Sequence, residues 1–180
     1  MIFYIVGYMA SGKTTFGSEL ARQLKIPFID LDRYVEEKEE RSINELFSEE
    51  GEDGFRKIES RRLREATSET PHCVIACGGG TPCHFDNMDY LNENGITVFL
   101  ETSTPVLISR LQAENETRPI VANKSDDEIE EQILSQLCER LPRYMEAKLK
   151  WHGDDLENQE QIETNVEEFI NSYPSLFRDL

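Results

Sequence analysis

Basic residues are scarce in this chain. Its 180 residues include 19 lysines and arginines against 36 aspartates and glutamates, a formal net charge of −17. Affinity for a phosphate backbone needs a basic face, so a general nucleic-acid binder is excluded. Binding to an anionic membrane surface is opposed on the same ground. Long apolar runs are also lacking: pieces such as Cys73–Cys77 fall far short of the ~18 residues of a membrane span. Four cysteines, Cys73, Cys77, Cys83 and Cys138, are too few for a disulfide framework, so reduced thiols in a cytoplasmic protein are expected. There is no internal repeat, low-complexity tract or linker rich in proline, glycine or serine. What remains is a chain long enough to bury roughly 70% of its unfolded surface in one core.

Short apolar runs alternate with charged amphipathic segments along the whole length, the pattern of an α/β domain. Ile2–Val6, within an opening that lacks a basic region and a cleavage site, is expected to be a buried central strand rather than a signal peptide. A helix follows from about Lys13 to Leu24, with Phe16, Leu20 and Leu24 at helical spacing. Phe28-Ile29 opens a second strand ending in Asp30 and Asp32. Helices are expected at Tyr34–Glu40, after the capping box of Ser42 and Glu45, and at Glu52–Glu69. Strands at Cys73–Cys77 and Ile96–Leu100 flank a helix at Asp86–Asn94. Further helices are expected at Pro105–Glu114, at Asp126–Leu149 with a break near Pro142, and at Gln159–Tyr173. Lys150–His152 reads as an edge strand, with Trp151 in a packing role. The acidic run Asp154, Asp155, Glu157, Glu160, Glu163, Glu167 and Glu168 reads as a solvated face.

Three segments carry chemistry. Gly7-Tyr8-Met9-Ala10-Ser11-Gly12-Lys13-Thr14 fits the G-x-x-x-x-G-K-[ST] pattern, between a buried strand and an amphipathic helix. Such a loop turns backbone N–H groups inward, and the helix start adds positive charge. Lys13 reaches the outer phosphates of a purine triphosphate such as ATP, and the Thr14 hydroxyl ligates Mg²⁺. The second segment places Asp30 and Asp32 at a strand end, where two carboxylates can hold Mg²⁺ and accept a proton from a substrate hydroxyl; if the strand persists, period-two geometry points both the same way. The alternative is that Asp32 caps the following helix. The third, Gly78-Gly79-Gly80, follows a strand and allows either close backbone approach to a ligand or a plain flexible turn.

Taken in order, these pieces resemble the shikimate kinase family. The resemblance runs through the phosphate loop, Ile29-Asp30-Leu31-Asp32, Ser42-Ile43 with Phe47, and Gly51-Glu52 with Phe55-Arg56 and Glu59. It continues through Gly78-Gly79-Gly80 and Arg118-Pro119, and closes at Arg140 with Pro142 and Tyr144, so it spans the chain to about residue 147. It implies a single domain over residues 1–180 with a three-layer P-loop kinase fold. A central, mostly parallel five-stranded sheet would be flanked by helices, with substrate-binding helices at about 32–64 and a lid loop at about 115–125. It also implies transfer of the γ-phosphoryl group of ATP to the 3-hydroxyl of shikimate, a step of aromatic amino acid biosynthesis; for the oligomeric state, a monomer is the default expectation.

Residue by residue, the resemblance assigns ATP to Gly7, Ala10, Ser11, Gly12, Lys13, Thr14 and Thr15, with Arg110 near the adenine and Arg118 on the transferred phosphate. Thr14 and Asp30 belong to Mg²⁺. Shikimate belongs to Asp32 on the ring hydroxyls, Arg56 and Arg140 on the carboxylate, Glu59 orienting Arg56, and the backbone of Gly78, Gly79 and Gly80. Lys13, Asp32 and Arg118 form the catalytic set. A planar guanidinium suits a carboxylate better than a lysine point charge does. Phe47 and Phe55 either line the substrate pocket or pack the core. Ala10 stands where many members carry glycine, Ile120-Val121 replace a leucine pair, and the chain from Trp151 onward matches weakly. Zinc at the Cys73 and Cys77 pair is excluded, since a strand puts them about 13 Å apart at ~3.3 Å per residue. Competing readings are another small-metabolite kinase, such as a gluconate kinase, and a regulatory nucleotide-binding module without catalysis.

Overall fold

A computed structural model describes residues 1–113 and 126–178. Five strands form one parallel sheet: β1 (Ile2–Val6), β2 (Phe28–Asp30), β3 (Cys73–Ala76), β4 (Ile96–Glu101) and β5 (Leu149–His152), in the order β2-β3-β1-β4-β5. Among the described residues seven α-helices cover its faces: α1 (Lys13–Leu24), α2 (Leu31–Glu39), α3 (Ile43–Glu69), α4 (Asn87–Asn94), α5 (Thr104–Ala113), α6 (Asp126–Tyr144) and α7 (Gln159–Ser172). None of the described helices is long and apolar enough to cross a membrane.

The β1 sequence is apolar throughout because both of its faces are covered. Alternation along the strand sends Phe3 and Ile5 to one side and Ile2, Tyr4 and Val6 to the other. The first side packs on Phe16 and Leu20 of α1 and Val166 and Phe169 of α7. The second packs on α2 to α6 through residues such as Val35, Leu63, Leu91, Leu111 and Tyr144. These are the three expected layers. At the edge, Trp151 of β5 stacks edge-on against Phe169 and donates its indole N–H to Asn165 at 2.8 Å.

Two local expectations are corrected, and a third is met inside a longer span. The second strand ends at Asp30, and Leu31 already begins α2, so Asp32 lies in a helical first turn rather than on a strand. The two helices expected after Ser42 and at Glu52–Glu69 are both present within the span of α3, separated by a non-helical break at Gly51, whose φ of 69° suits glycine. The capping box at its start is formed as expected: Ser42 Oγ accepts from Glu45 N at 3.2 Å, and Ser42 N donates to Glu45 at 2.8 Å. Finally, α6 stops at Tyr144 instead of Leu149. Pro142 lacks the N–H that would sustain the last turns, and Met145 to Ala147 close tight turns that feed β5.

Candidate active site

A cleft of about 530 Å³ opens at the carboxyl ends of β1, β2 and β3, where parallel sheets bind their ligands. Met9, Ala10, Gly12, Lys13, Thr14, Thr15, Asp30, Asp32, Gly78, Gly79 and Arg110 line it. Gly7 and Ser11 belong to the loop but are not on the cleft lining. A side chain at Gly7 would meet the Leu100 carbonyl at 2.7 Å, and Ser11 is buried with its hydroxyl unpartnered among the described residues. Ala10 (φ 58°) and Gly12 (φ 92°) turn the loop in left-handed conformations, and α1 starts with no side-chain cap. Its first N–H groups therefore face the cleft, as an anion site requires. Lys13 Nζ donates to the Tyr8 carbonyl at 2.7 Å and lies at the cleft wall.

Thr14 and Asp30 meet directly: the Thr14 hydroxyl donates to Asp30 Oδ2 at 2.8 Å. The other oxygen, Oδ1, accepts from Arg33 N at 3.3 Å and caps α2. The capping role weighed for Asp32 thus falls to Asp30, which leaves the Asp32 carboxyl to the cleft. Oxygen donors from a hydroxyl and a carboxylate match the preference of Mg²⁺, so the pair fits that ion.

Asp32, Glu59 and Gly78 form the next group. A Cβ placed on Gly78 would lie 2.8 Å from both Asp32 Oδ1 and Glu59 Oε1. Asp32 is open to the cleft but hemmed in by protein. Loss of hydration, then the nearby carboxylates of Glu59 and Asp30, raise its pKa to about 6 against the pull of Lys13 and Arg56. Buried Glu59 holds two neighbours, accepting from Arg56 at 3.0 Å and from the Thr81 hydroxyl at 2.6 Å.

The two arginines assigned to a carboxylate lie behind the glycine run rather than on the cleft lining. A Cβ at Gly80 would meet Arg56 Nη2 at 2.6 Å, and one at Gly79 would approach Arg140 at 3.6 Å. Arg56 is clamped over Phe47 and Phe55, its guanidinium 5.7 and 5.1 Å from their centroids. Those rings stack on each other at 4.2 Å, so Phe47 and Phe55 support the arginine from below. Buried Arg56 Nε has no partner among the described residues.

Arg110 reaches the Gly153, Asp154 and Ala10 carbonyls at 2.9, 2.8 and 3.5 Å. It thereby ties the loop after β5 to the phosphate loop. Arg118 and the whole of the expected lid at 115–125 lie outside the described residues. Sequence reasoning missed Leu156 and Glu157, which complete the cleft lining from the weakly matching tail. It also missed Thr81, whose signal was its place directly after the glycine run, and Gln136, which no pattern marks.

The family model described as shikimate kinase matches residues 9–171. A shikimate kinase of Bacteroides fragilis is 48% identical over 165 residues, covering 92% of each chain. That of Phocaeicola vulgatus is 44% identical over 164 residues, 91% of this chain and 93% of the relative. Among solved structures, a shikimate kinase from Bacteroides thetaiotaomicron superposes with a TM-score of 0.91 at 42% identity, covering 97% of this chain and 98% of that one. One from Acinetobacter baumannii in complex with shikimate gives 0.83 at 31% identity, covering 97% and 93%.

Proposed function

This chain belongs to the shikimate kinase family, and on that premise we propose that it transfers the γ-phosphoryl group of ATP to the 3-hydroxyl of shikimate, giving shikimate 3-phosphate and ADP. One observation carries the reading at the level of residues. Asp32 shares the cleft with Lys13 and Thr14, which we assign to the phosphates, while Arg56 and Arg140, which we assign to the acid's carboxylate, lie against the adjoining glycine run. A hydroxyl held on Asp32 by an acid anchored at the arginines faces the outer phosphate of a nucleotide on the loop.

In the step, the shikimate oxygen bonds to the γ-phosphorus and the bond from phosphorus to the ADP oxygen breaks. The hydroxyl proton passes to Asp32. Such transfers depend mostly on positioning and charge neutralisation. Lys13 supplies a cation to the outer phosphates. Thr14 and Asp30 are the residues that would hold Mg²⁺, which neutralises phosphate charge when bound. Arg118 has a place in the same task by the family resemblance. A base with a pKa near 6 is ionised at neutral pH yet still able to accept a proton. Glu59 holds Arg56 in place for the acid, and Arg110 braces the loop on the adenine side. A monomer is our default assignment for the protein.

The test is shikimate-dependent ADP release with Mg-ATP, with gluconate and no-acceptor controls and a Lys13→Ala variant. Release with shikimate alone, lost in the variant, is expected. Release with gluconate, or nucleotide binding without transfer to either acid, would overturn the assignment.

A further inference from the structure

Arg140 differs from the other arginine assigned to the acid. Arg56 is paired with Glu59, whereas Arg140 has no ion-pair partner among the described residues, in a chain with 36 acidic side chains. What it lies against is aromatic: its guanidinium stands 5.7 Å from the ring centroid of Tyr8. Tyr8 is the second residue of the phosphate loop, and its side chain is buried. Its hydroxyl donates to Gln136 Oε1 at 2.7 Å. Gln136, Arg140 and Tyr144 fall at four-residue spacing on α6, so all three share one helix face. Tyr144, stacked on Phe99, donates its hydroxyl to the Gly79 carbonyl at 2.5 Å. One helix face is thus latched to the phosphate loop above Arg140 and to the glycine run below it.

We propose that Tyr8 is a positioning residue for the acid substrate: its ring and its hydroxyl bond to Gln136 fix the Arg140 guanidinium at the glycine run. The proposal rests on the reading of Arg140 as a carboxylate ligand. The phosphate-loop pattern leaves this position unconstrained, so nothing in nucleotide binding calls for a tyrosine. An aromatic face holds a guanidinium without neutralising it, as a carboxylate would. The cation therefore stays available to an incoming anion. Burial keeps the phenol protonated, with Arg140 opposing only in part, so the hydroxyl remains a donor to Gln136.

A residue of the phosphate loop should then matter to the acid and not to the nucleotide. Binding of shikimate, measured calorimetrically at saturating ADP so that no transfer occurs, is compared in wild type, Tyr8→Leu, Tyr8→Phe and Gln136→Met. Leucine keeps the apolar bulk and removes the cation–π contact, so the shikimate Kd should rise about five- to tenfold. Phenylalanine keeps the ring and should rescue most of this, with a rise of about two- to fivefold. Gln136→Met removes the same hydrogen bond from the helix side, and combined with Tyr8→Phe should add nothing further. The ADP Kd should stay within about twofold throughout. Shikimate methyl ester, which lacks the anion, should bind equally weakly to all four proteins. An unchanged shikimate Kd in a folded Tyr8→Leu protein would refute the proposal. So would an ADP Kd that rises in parallel, since that marks general packing of the loop. If Tyr8→Leu does not fold, the phenylalanine and Gln136 variants decide. A wild type that binds shikimate and its ester alike would instead overturn the role of Arg140 itself.

Discussion

Asp32 occupies a place where a base is needed and where a carboxylate is costly, so its replacement should separate stability from activity. Asp32→Asn keeps the shape and removes the charge. In the folded protein the carboxyl titrates at about 6 instead of 3.8. At 1.36 kcal/mol per pH unit that displacement corresponds to about 3 kcal/mol. Asp32 is open to the cleft, however, and water there screens its neighbours, so the penalty is discounted to about 1 kcal/mol. The sign follows from the raised value: folding favours the protonated acid, and stability is lost as pH rises from about 4 through about 6. Asparagine is neutral throughout. At pH 7.5 the variant should therefore melt about 2–4 °C above wild type. Less than half of that gain should remain near pH 4, where wild-type Asp32 is itself largely neutral. Phosphoryl transfer should fall by about 10²–10⁴, the usual range for losing a proton acceptor. Thermal melts across this pH series, with initial rates at pH 7.5, measure both. A variant that is less stable at pH 7.5, or whose gain does not change with pH, would refute the electrostatic account.

Three further outcomes are expected. Glu59→Gln removes a carboxylate that raises the Asp32 pKa, so the acid limb of the pH–rate profile should move to lower pH; an unmoved limb counts against the coupling. The same variant loosens Arg56, and the KM for shikimate should rise about tenfold. Gly80→Ala would set a methyl 2.6 Å from Arg56 Nη2, forcing the guanidinium off its place on the two rings without touching the backbone; KM for shikimate should rise about tenfold, and an unchanged KM in the folded variant contradicts the placement. Ala10→Gly relieves a left-handed alanine at φ 58°. Stability should rise by up to about 1 kcal/mol with activity retained, and a lower melting temperature would show that the alanine is not strained.

The elements and the phosphate loop were legible because they rest on local signals. Continuous apolar runs marked the buried strands, and glycine spacing marked the loop. Ser42 and Glu45 announced a helix start that forms as expected. Asp30 and Asp32 were legible as a pair but not in their division of labour. The two lie at the junction of β2 and α2, and only the geometry of that junction decides which carboxyl caps the helix. The same limit hid Thr81, Gln136 and Leu156. Each acts through a partner more than twenty residues away in sequence, such as Glu59 for Thr81 and Tyr8 for Gln136. Long-range pairing leaves no periodic trace.

The charge balance poses a problem that the fold answers locally. A chain at −17 must draw two anions into one cleft. Most of its arginines cannot help, because they are tied to carboxylates away from the cleft: Arg22 to Glu19, Arg41 to Glu49, Arg62 to Glu39 and Arg143 to Glu146. The arginines at the cleft and behind its glycine run are held differently. Arg110 donates to backbone carbonyls, and Arg140 rests on an aromatic face. Neither arrangement neutralises the guanidinium, so both keep their charge for a ligand. Exposed acids farther than about 8 Å away are screened at physiological salt. Arg56 is the exception, since Glu59 offsets it, yet that carboxylate also fixes its direction and raises the pKa of Asp32. Glu59, the buried acid beside Arg56, thus trades some attraction for orientation and for a better base.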